Sequence, residues 1–371
     1  YIITEYFYSN FSGLNILGKK EEFYEIKKLI GTFINLFKSN NYDYNKFSEI
    51  LEKLKYGNDY IFMKIVREIY FEYMSELKSK NKVDFNDMIN DAIKLLNKEG
   101  KIKSYKYIII DEYQDTSLTK YNLIKTIKNK TQAKLFCVGD DFQSIYRFTG
   151  CNLNIFLNFK KYYKNSRIMK IENTYRNCKD LIKVSGNFIM KNNHQMRKKL
   201  KSSKKLKRPI KIIYYKSIKD SFEKLILDIY SENNNGIMVL GRNNNDIYRY
   251  LNSNFRLENQ KIIYLKNENI KIRYLTVHKS KGLEEENVII INLENKINGF
   301  PSKIENNEIL KYVLNENDNY PYEEERRLFY VALTRTKNNV YLFVNKKNES
   351  IFVKEIVNNY KSCIQIFKNY L

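Results

Sequence analysis

Tyr107-Ile108-Ile109-Ile110-Asp111-Glu112-Tyr113-Gln114-Asp115-Thr116 is a short apolar, β-prone run that ends in carboxylates. A helix-prone segment follows. Ala133 to Val138 then repeats the arrangement, with Gly139, Asp140, Asp141, Phe142, Gln143, Ser144, Ile145, Tyr146, Arg147 and Phe148 at its end. Two apolar strands thus present acids and amides side by side, and open parallel sheets bind their ligands at the carboxyl ends of strands. One carboxylate there can hold Mg2+, directly or through water. Its neighbour can polarise an attacking water, and a glutamine can sense a γ-phosphate.

Outward from this block, composition sets bounds. A chain of 371 residues has room for two or three domains and a sizeable core. Four cysteines, Cys137, Cys151, Cys178 and Cys363, are widely spaced, and there are only two histidines, which argues against a zinc site or a Cys-His nucleophile and fits a reducing cytoplasm. No apolar run is long enough to span a membrane, and no signal peptide is recognisable. The chain starts at Tyr1, so it reads as a fragment of something longer. The net charge of +24 suits a polyanion partner, although Lys, Asn, Ile, Tyr and Phe are abundant together as AT-rich coding alone would favour. Only 13 of the 66 basic residues are Arg, yet Arg147, Arg176, Arg242, Arg326, Arg327 and Arg335 all fall in the motifs described next.

Asp111 to Thr116 followed by Val138 to Phe148 resembles motifs II and III of superfamily 1 helicases of the UvrD, Rep and PcrA kind. The wording Phe142-Gln-Ser-Ile-Tyr-Arg-Phe-Thr-Gly150 leans toward the DNA helicase IV branch. Further motifs follow in family order. Ile171-Glu-Asn-Thr-Tyr-Arg-Asn177, placed after an expected strand, resembles motif IV. Gly241-Arg242 resembles a short motif that sets an arginine beside the nucleotide. Thr276-Val-His-Lys-Ser-Lys-Gly-Leu-Glu284 resembles motif V, and Glu324 to Lys337 resembles motif VI.

The resemblance implies an α/β fold of two RecA-like parallel-sheet domains, the first incomplete, with an N-terminal helical subdomain. The expected division is a helical 1B-like part over 1–80, the remainder of the first RecA-like domain over 81–170, and the second over 171–371. Helices are expected at Glu21 to Phe37, Lys46 to Leu54, Tyr60 to Lys78 and Ser221 to Tyr230. The second domain's strands are expected at Lys211 to Tyr215, Gly236 to Leu240, Ile272 to Val277, Val288 to Leu293 and Val340 to Val344. Only 34 residues separate Gly241 from Thr276, so the large 2B insertion of relatives is absent or reduced to a stub.

The resemblance also implies roles. Asp111 binds Mg2+, Glu112 activates water, Gln143 reports the γ-phosphate, and Arg176 and Arg335 stabilise the transition state. Tyr175, Arg242, Gly282 and Glu284 face ATP. Tyr146, Phe148, Thr276, His278 and Lys279 face DNA, the aromatics by stacking on bases. Asp84 is a plausible N-cap for the helix ahead of motif II. The basic run from Arg197 to Arg208 fits a phosphate track and a solvated loop equally well.

Gly13 to Lys20 matches Gly-x4-Gly-Lys, but Lys20 stands where a phosphate loop needs Ser or Thr, and no convincing buried strand precedes it. The expectation is therefore an ATP- and Mg2+-dependent DNA helicase, with 3′ to 5′ travel implied, acting on single strands and single/double-strand junctions, whose phosphate loop lies outside this chain. A non-hydrolysing DNA-binding fragment and one part of a helicase-nuclease are the alternatives.

Overall fold

Apolar residues at three- and four-residue spacing build the N-terminal helices α1 (Ile2–Phe11), α2 (Lys20–Ser39), α3 (Asn45–Leu54), α4 (Asn58–Ser79) and α5 (Phe85–Glu99). The protein is represented by a computed structural model that describes residues 1–11, 20–99, 102–233, 236–304, 307–314, 320–368 and 370. Gly13 to Lys19 of the phosphate-loop look-alike lie outside the described residues.

The chain forms two units: Tyr1–Ser166 with Asn306–Asn317, and Arg167–Glu305 with Asp318–Leu371. In the first, Phe33, Phe37, Phe47, Met63, Val66 and Tyr70 fill a helical core. After α5 come β1 (Tyr107–Ile110), α6 (Leu118–Thr131), β2 (Lys134–Cys137), α7 (Leu153–Leu157) and α8 (Phe159–Tyr162). The boundary expected at residue 80 falls inside this unit. Buried Lys38, near the end of α2, pairs with Asp84 and Asp87 at 2.6 Å each, and Thr119 at the start of α6 donates to the Ser39 carbonyl at 2.8 Å.

β1 and β2 pair in parallel, Tyr107 opposite Lys134 through Ile110 opposite Cys137. Ile110, Leu135 and Cys137 pack against Tyr113, Tyr121, Ile155 and Tyr163. Side chains alternate across a strand, so Tyr107, Ile109 and Phe136 point the other way and are 64%, 73% and 54% exposed. Parallel sheets are ordinarily covered on both faces.

A late segment completes the helical core. Asn307 caps a 3-10 turn over Glu308–Tyr312, and Ile309, Leu310 and Val313 are buried among the helices of the first unit. Asn40 donates to the Val313 carbonyl at 2.6 Å, and Asp59 accepts from the Tyr312 hydroxyl at 2.9 Å and pairs with Lys311 at 3.3 Å.

The second unit contains α9 (Lys179–Ile189), β3 (Ile210–Tyr215), α10 (Ile218–Asn233), β4 (Ile237–Gly241), β5 (Phe255–Glu258), β6 (Lys261–Tyr264), β7 (Ile272–Thr276), β8 (Glu285–Ile290), α11 (Glu323–Leu333), β9 (Thr336–Asn345), α12 (Ile351–Asn359) and β10 (Ile364–Phe367). Its eight strands run in the order β10-β3-β9-β8-β4-β7-β6-β5, parallel except for the β5-β6-β7 edge. The short stretch between Gly241 and Thr276 is the β5-β6 hairpin with a 3-10 turn before it.

All five expected strands of this sheet are present, with shifted ends. The exception among the expected strands precedes the motif IV-like turn. Ile168, Met169 and Ile171 lie outside any strand and are 42%, 73% and 82% exposed. A strand exists only with a partner's hydrogen-bonding edge, and among the described residues none pairs with these three.

Candidate nucleotide and nucleic-acid site

In the first unit the two strand ends are laced together. The Val138 amide donates to the Ile110 carbonyl and the Tyr113 amide to the Val138 carbonyl, both at 2.8 Å. The chain then turns sharply because Glu112 takes a left-handed φ of 50°. Asp111 and Glu112 are both exposed, and the Asp111 carboxylate accepts the Glu112 amide at 2.8 Å.

Gln114, fully buried, was not singled out by its sequence, yet it joins the two halves of this site. Its Nε2 donates to Glu112 Oε2 at 2.5 Å, and its Oε1 accepts the Asp140 amide at 2.9 Å. Asp140 caps the next turn, accepting the Phe142 amide at 3.2 Å and Gln143 Nε2 at 2.8 Å. Gly139 is required by this proximity, since a Cβ there would sit 2.5 Å from Gln114 Oε1 and 2.7 Å from the Phe156 ring.

Beyond Gln143, Tyr146 and Phe148 meet edge-on with ring centroids 6.1 Å apart. Phe148 is half exposed. Tyr146 is partly buried, and burial, with Asp115 and Glu112 nearby, raises its hydroxyl above the usual tyrosine range.

The second unit gathers its motif residues at one set of loops. Tyr175 is 85% exposed, while Arg176 pairs with Glu284 at 2.5 Å. Lys337 pairs with the other Glu284 oxygen at 3.4 Å, and Arg176 first, then Lys337, hold the Glu284 carboxyl below the ordinary range. Buried Asn177, another residue not singled out, donates to the Thr336 and Thr334 carbonyls at 2.7 and 3.3 Å, fixing this turn to the end of α11.

Arg335 is buried. Its Nε donates to the Val331 carbonyl at 3.0 Å and its Nη1 to the Leu283 carbonyl at 3.3 Å, so in this structure its guanidinium ties α11 to the Gly282 turn. Gly282 itself has φ +81°, which a side chain would strain. Arg242 pairs with Glu325 at 2.9 Å, and burial raises the Glu325 carboxyl in spite of that pairing.

Thr276 is buried at the end of β7, Lys279 is exposed, and His278 lies between them. Burial, helped by the Arg242 charge, depresses His278 to about 4, so the imidazole is neutral near pH 7. The unfolded chain takes up that proton near pH 6.5, and stability therefore falls as pH drops from 6.5 toward 4. His278→Gln is expected to flatten that fall by ~2 kcal/mol. Urea denaturation at pH 7 and pH 4.5 checks it.

Among the described residues no three His, Cys, Asp or Glu side chains cluster as a self-sufficient metal cage, and no helix is long and apolar enough to cross a membrane. Mg2+ at phosphoryl-transfer sites is held by one or two carboxylates together with phosphates and water, and an exposed Asp111 at a strand end fits that demand.

Comparison with known families places these observations. Residues 13–164 match the UvrD/REP helicase N-terminal domain, and residues 249–347 match the UvrD-like helicase C-terminal domain. The chain belongs to the UvrD/REP helicase family. DNA helicase IV of Escherichia coli (strain K12) is 31% identical over 80% of this chain and 42% of its own length. The ATP-dependent DNA helicase Rep of Buchnera aphidicola (strain APS) is 28% identical over 97% of this chain and 55% of its own length. The ATP-dependent DNA helicase PcrA of Bacillus subtilis (strain 168) is 32% identical over 46% of this chain and 23% of its own length. This UvrD/REP-family chain thus spans about half the length, or less, of these relatives.

Proposed function

We propose that this chain is part of an ATP-dependent DNA helicase and carries all of its phosphoryl-transfer machinery except the phosphate loop. The observation that carries this reading is the Asp111–Glu112 pair at a parallel strand end, hydrogen-bonded through Gln114 and Asp140 to Gln143. Asp111 would hold Mg2+, which supplies charge neutralisation on the phosphates of ATP when bound. Glu112 would take the proton of the attacking water, and Gln143 would report the γ-phosphate. Arg176 and Arg335 would offset charge that develops during transfer, Arg335 by exchanging its carbonyl partners for phosphate oxygen.

Exposed Tyr175 suits stacking on a base, and Arg242, Gly282 and Glu284 complete the set we assign to the nucleotide. For DNA we assign Tyr146 and Phe148 by stacking, and Thr276, His278 and Lys279 by phosphate contact, with exposed Lys279 the leading member. The substrate is single-stranded DNA and its junctions with duplex, and the 3′ to 5′ direction rests on family likeness.

The exposed apolar face of β1 and β2 supports the further reading that a segment carrying the phosphate loop covers it. The net charge of +24 supports a second reading, in which this chain binds DNA without hydrolysing ATP. Measuring Mg2+-ATP hydrolysis by a polypeptide that joins this chain to a phosphate-loop segment, with and without a single-stranded oligonucleotide, separates the two. Turnover stimulated by DNA, and lowered about 100-fold or more by Arg335→Ala, supports the motor. Salt-sensitive DNA binding with no turnover supports the binding fragment, and loss of both sinks the two readings together.

A further inference from the structure

We infer that Gln114 is a positioning residue that couples Glu112 to Gln143, so that the group activating water and the group sensing phosphate respond to one another. The inference rests on the roles proposed above for those two residues and adds a third residue and a route between them.

Hydrogen-bond chemistry fixes the direction of every link. An ionised carboxylate only accepts and a backbone N–H only donates, so the Gln114 amide must turn its Nε2 to Glu112 and its Oε1 to Asp140. A flipped amide would lose both bonds. Gln114 is fully buried, so water would not replace either partner, and leaving one unmade costs roughly 1–3 kcal/mol. A Cβ at residue 139 would collide with this amide.

The last link passes through Asp140. Its carboxylate receives the Gln143 side chain and the Phe142 amide, while its own amide is held by Gln114. The chain Glu112, Gln114, Asp140, Gln143 is continuous, and successive hydrogen bonds polarise one another. When Gln143 exchanges Asp140 for a phosphate oxygen, the Asp140 turn is released at one end. Gln114 passes that change to the Glu112 carboxylate. In the reverse direction, a change at Glu112 alters how firmly the Asp140 turn is held.

The chain contains six glutamines, Gln114, Gln132, Gln143, Gln195, Gln260 and Gln365, so labelling glutamine side-chain amides with 15N gives a spectrum simple enough to assign by single substitutions. The purified chain suffices, and no turnover is needed. Glu112→Ala is expected to move the Gln143 amide signals beyond the scatter of the four remote glutamines. In a Gln114→Met background, adding Glu112→Ala is expected to leave Gln143 where Gln114→Met alone puts it.

A Gln143 signal that responds to Glu112→Ala equally in both backgrounds, or in neither, overturns the inference. The remote amides and circular dichroism report whether each variant folds. Should Gln114→Met not fold, Gln114→Leu takes its place, since it too removes both the donor to Glu112 and the acceptor for Asp140. In a polypeptide that hydrolyses ATP, Gln114→Met is expected to lower kcat about tenfold or more with KM within about twofold, which a general loosening of the fold would not produce. Absence of turnover in a polypeptide that includes a phosphate loop would count against the proposed function and leave the amide result standing.

Discussion

Glu112→Gln is expected to lower DNA-stimulated ATP hydrolysis by about 10²–10⁴-fold, the range for loss of a positioned general base. The substitution keeps the size of the side chain and an acceptor for Gln114, so DNA binding and thermal stability should stay near wild-type values. The measurement is steady-state turnover on a polypeptide that hydrolyses ATP, beside single-strand binding at two salt concentrations. A variant that retains more than about a tenth of wild-type turnover would remove Glu112 from the role of base. Asp111→Asn distinguishes the neighbouring carboxylate, because its defect should be eased by higher Mg2+ whereas that of Glu112→Gln should not.

The second large effect is on stability. Lys38 is 3% exposed and lies 2.6 Å from both Asp84 and Asp87, with the Tyr73 hydroxyl donating to Asp84 at 2.8 Å. Lys38→Ala would leave two half-buried carboxylates facing each other without their cation, at a cost of about 3–5 kcal/mol. The urea midpoint of the helical unit, followed by far-ultraviolet circular dichroism, should fall accordingly. Adding Asp84→Asn and Asp87→Asn should recover much of the loss, because the penalty comes from unpaired charge.

The same cluster sets a response to acid. Burial alone pushes the Asp84 carboxyl up, but Lys38, the Asp87 amide and Tyr73 together outweigh it and the net shift is downward. A depressed carboxylate contributes stability that is complete above its unfolded value near 4 and is lost as pH falls through the lower folded value. Lys38→Ala should flatten the stability profile below pH 4.

These expectations draw unequally on sequence. The Tyr107 and Ala133 runs were legible as strands because apolar residues meet carboxylates abruptly at their ends, and the helices over Lys20–Ser39 and Asn58–Ser79 because their apolar spacing is regular. Roles hidden in hydrogen bonding were not legible. Gln114 and Asn177 carry no hydropathy signal, and what they do depends on Asp140 and Thr336, far off in the chain. The β5-β6 hairpin shows in sequence only as the turn Glu258-Asn259-Gln260-Lys261, with Asn259 at φ 55°. The strand expected ahead of the motif IV-like stretch is absent, because β-propensity supplies no pairing partner. Arg335 and Thr276 are engaged by neighbouring backbone, which motif matching alone does not reveal.

Ile309, Leu310 and Val313 also bear on how the protein is made. The helices they complete begin near residue 1, whereas the residues that plug them emerge from the ribosome some three hundred positions later. Throughout that interval the nascent helical unit keeps an open apolar notch, which closes only once Val313 has left the ribosome. Ribosome-bound chains in which Ile309 to Val313 have not left the exit tunnel should therefore be more protease-sensitive in α2 and α4 than longer chains in which they have.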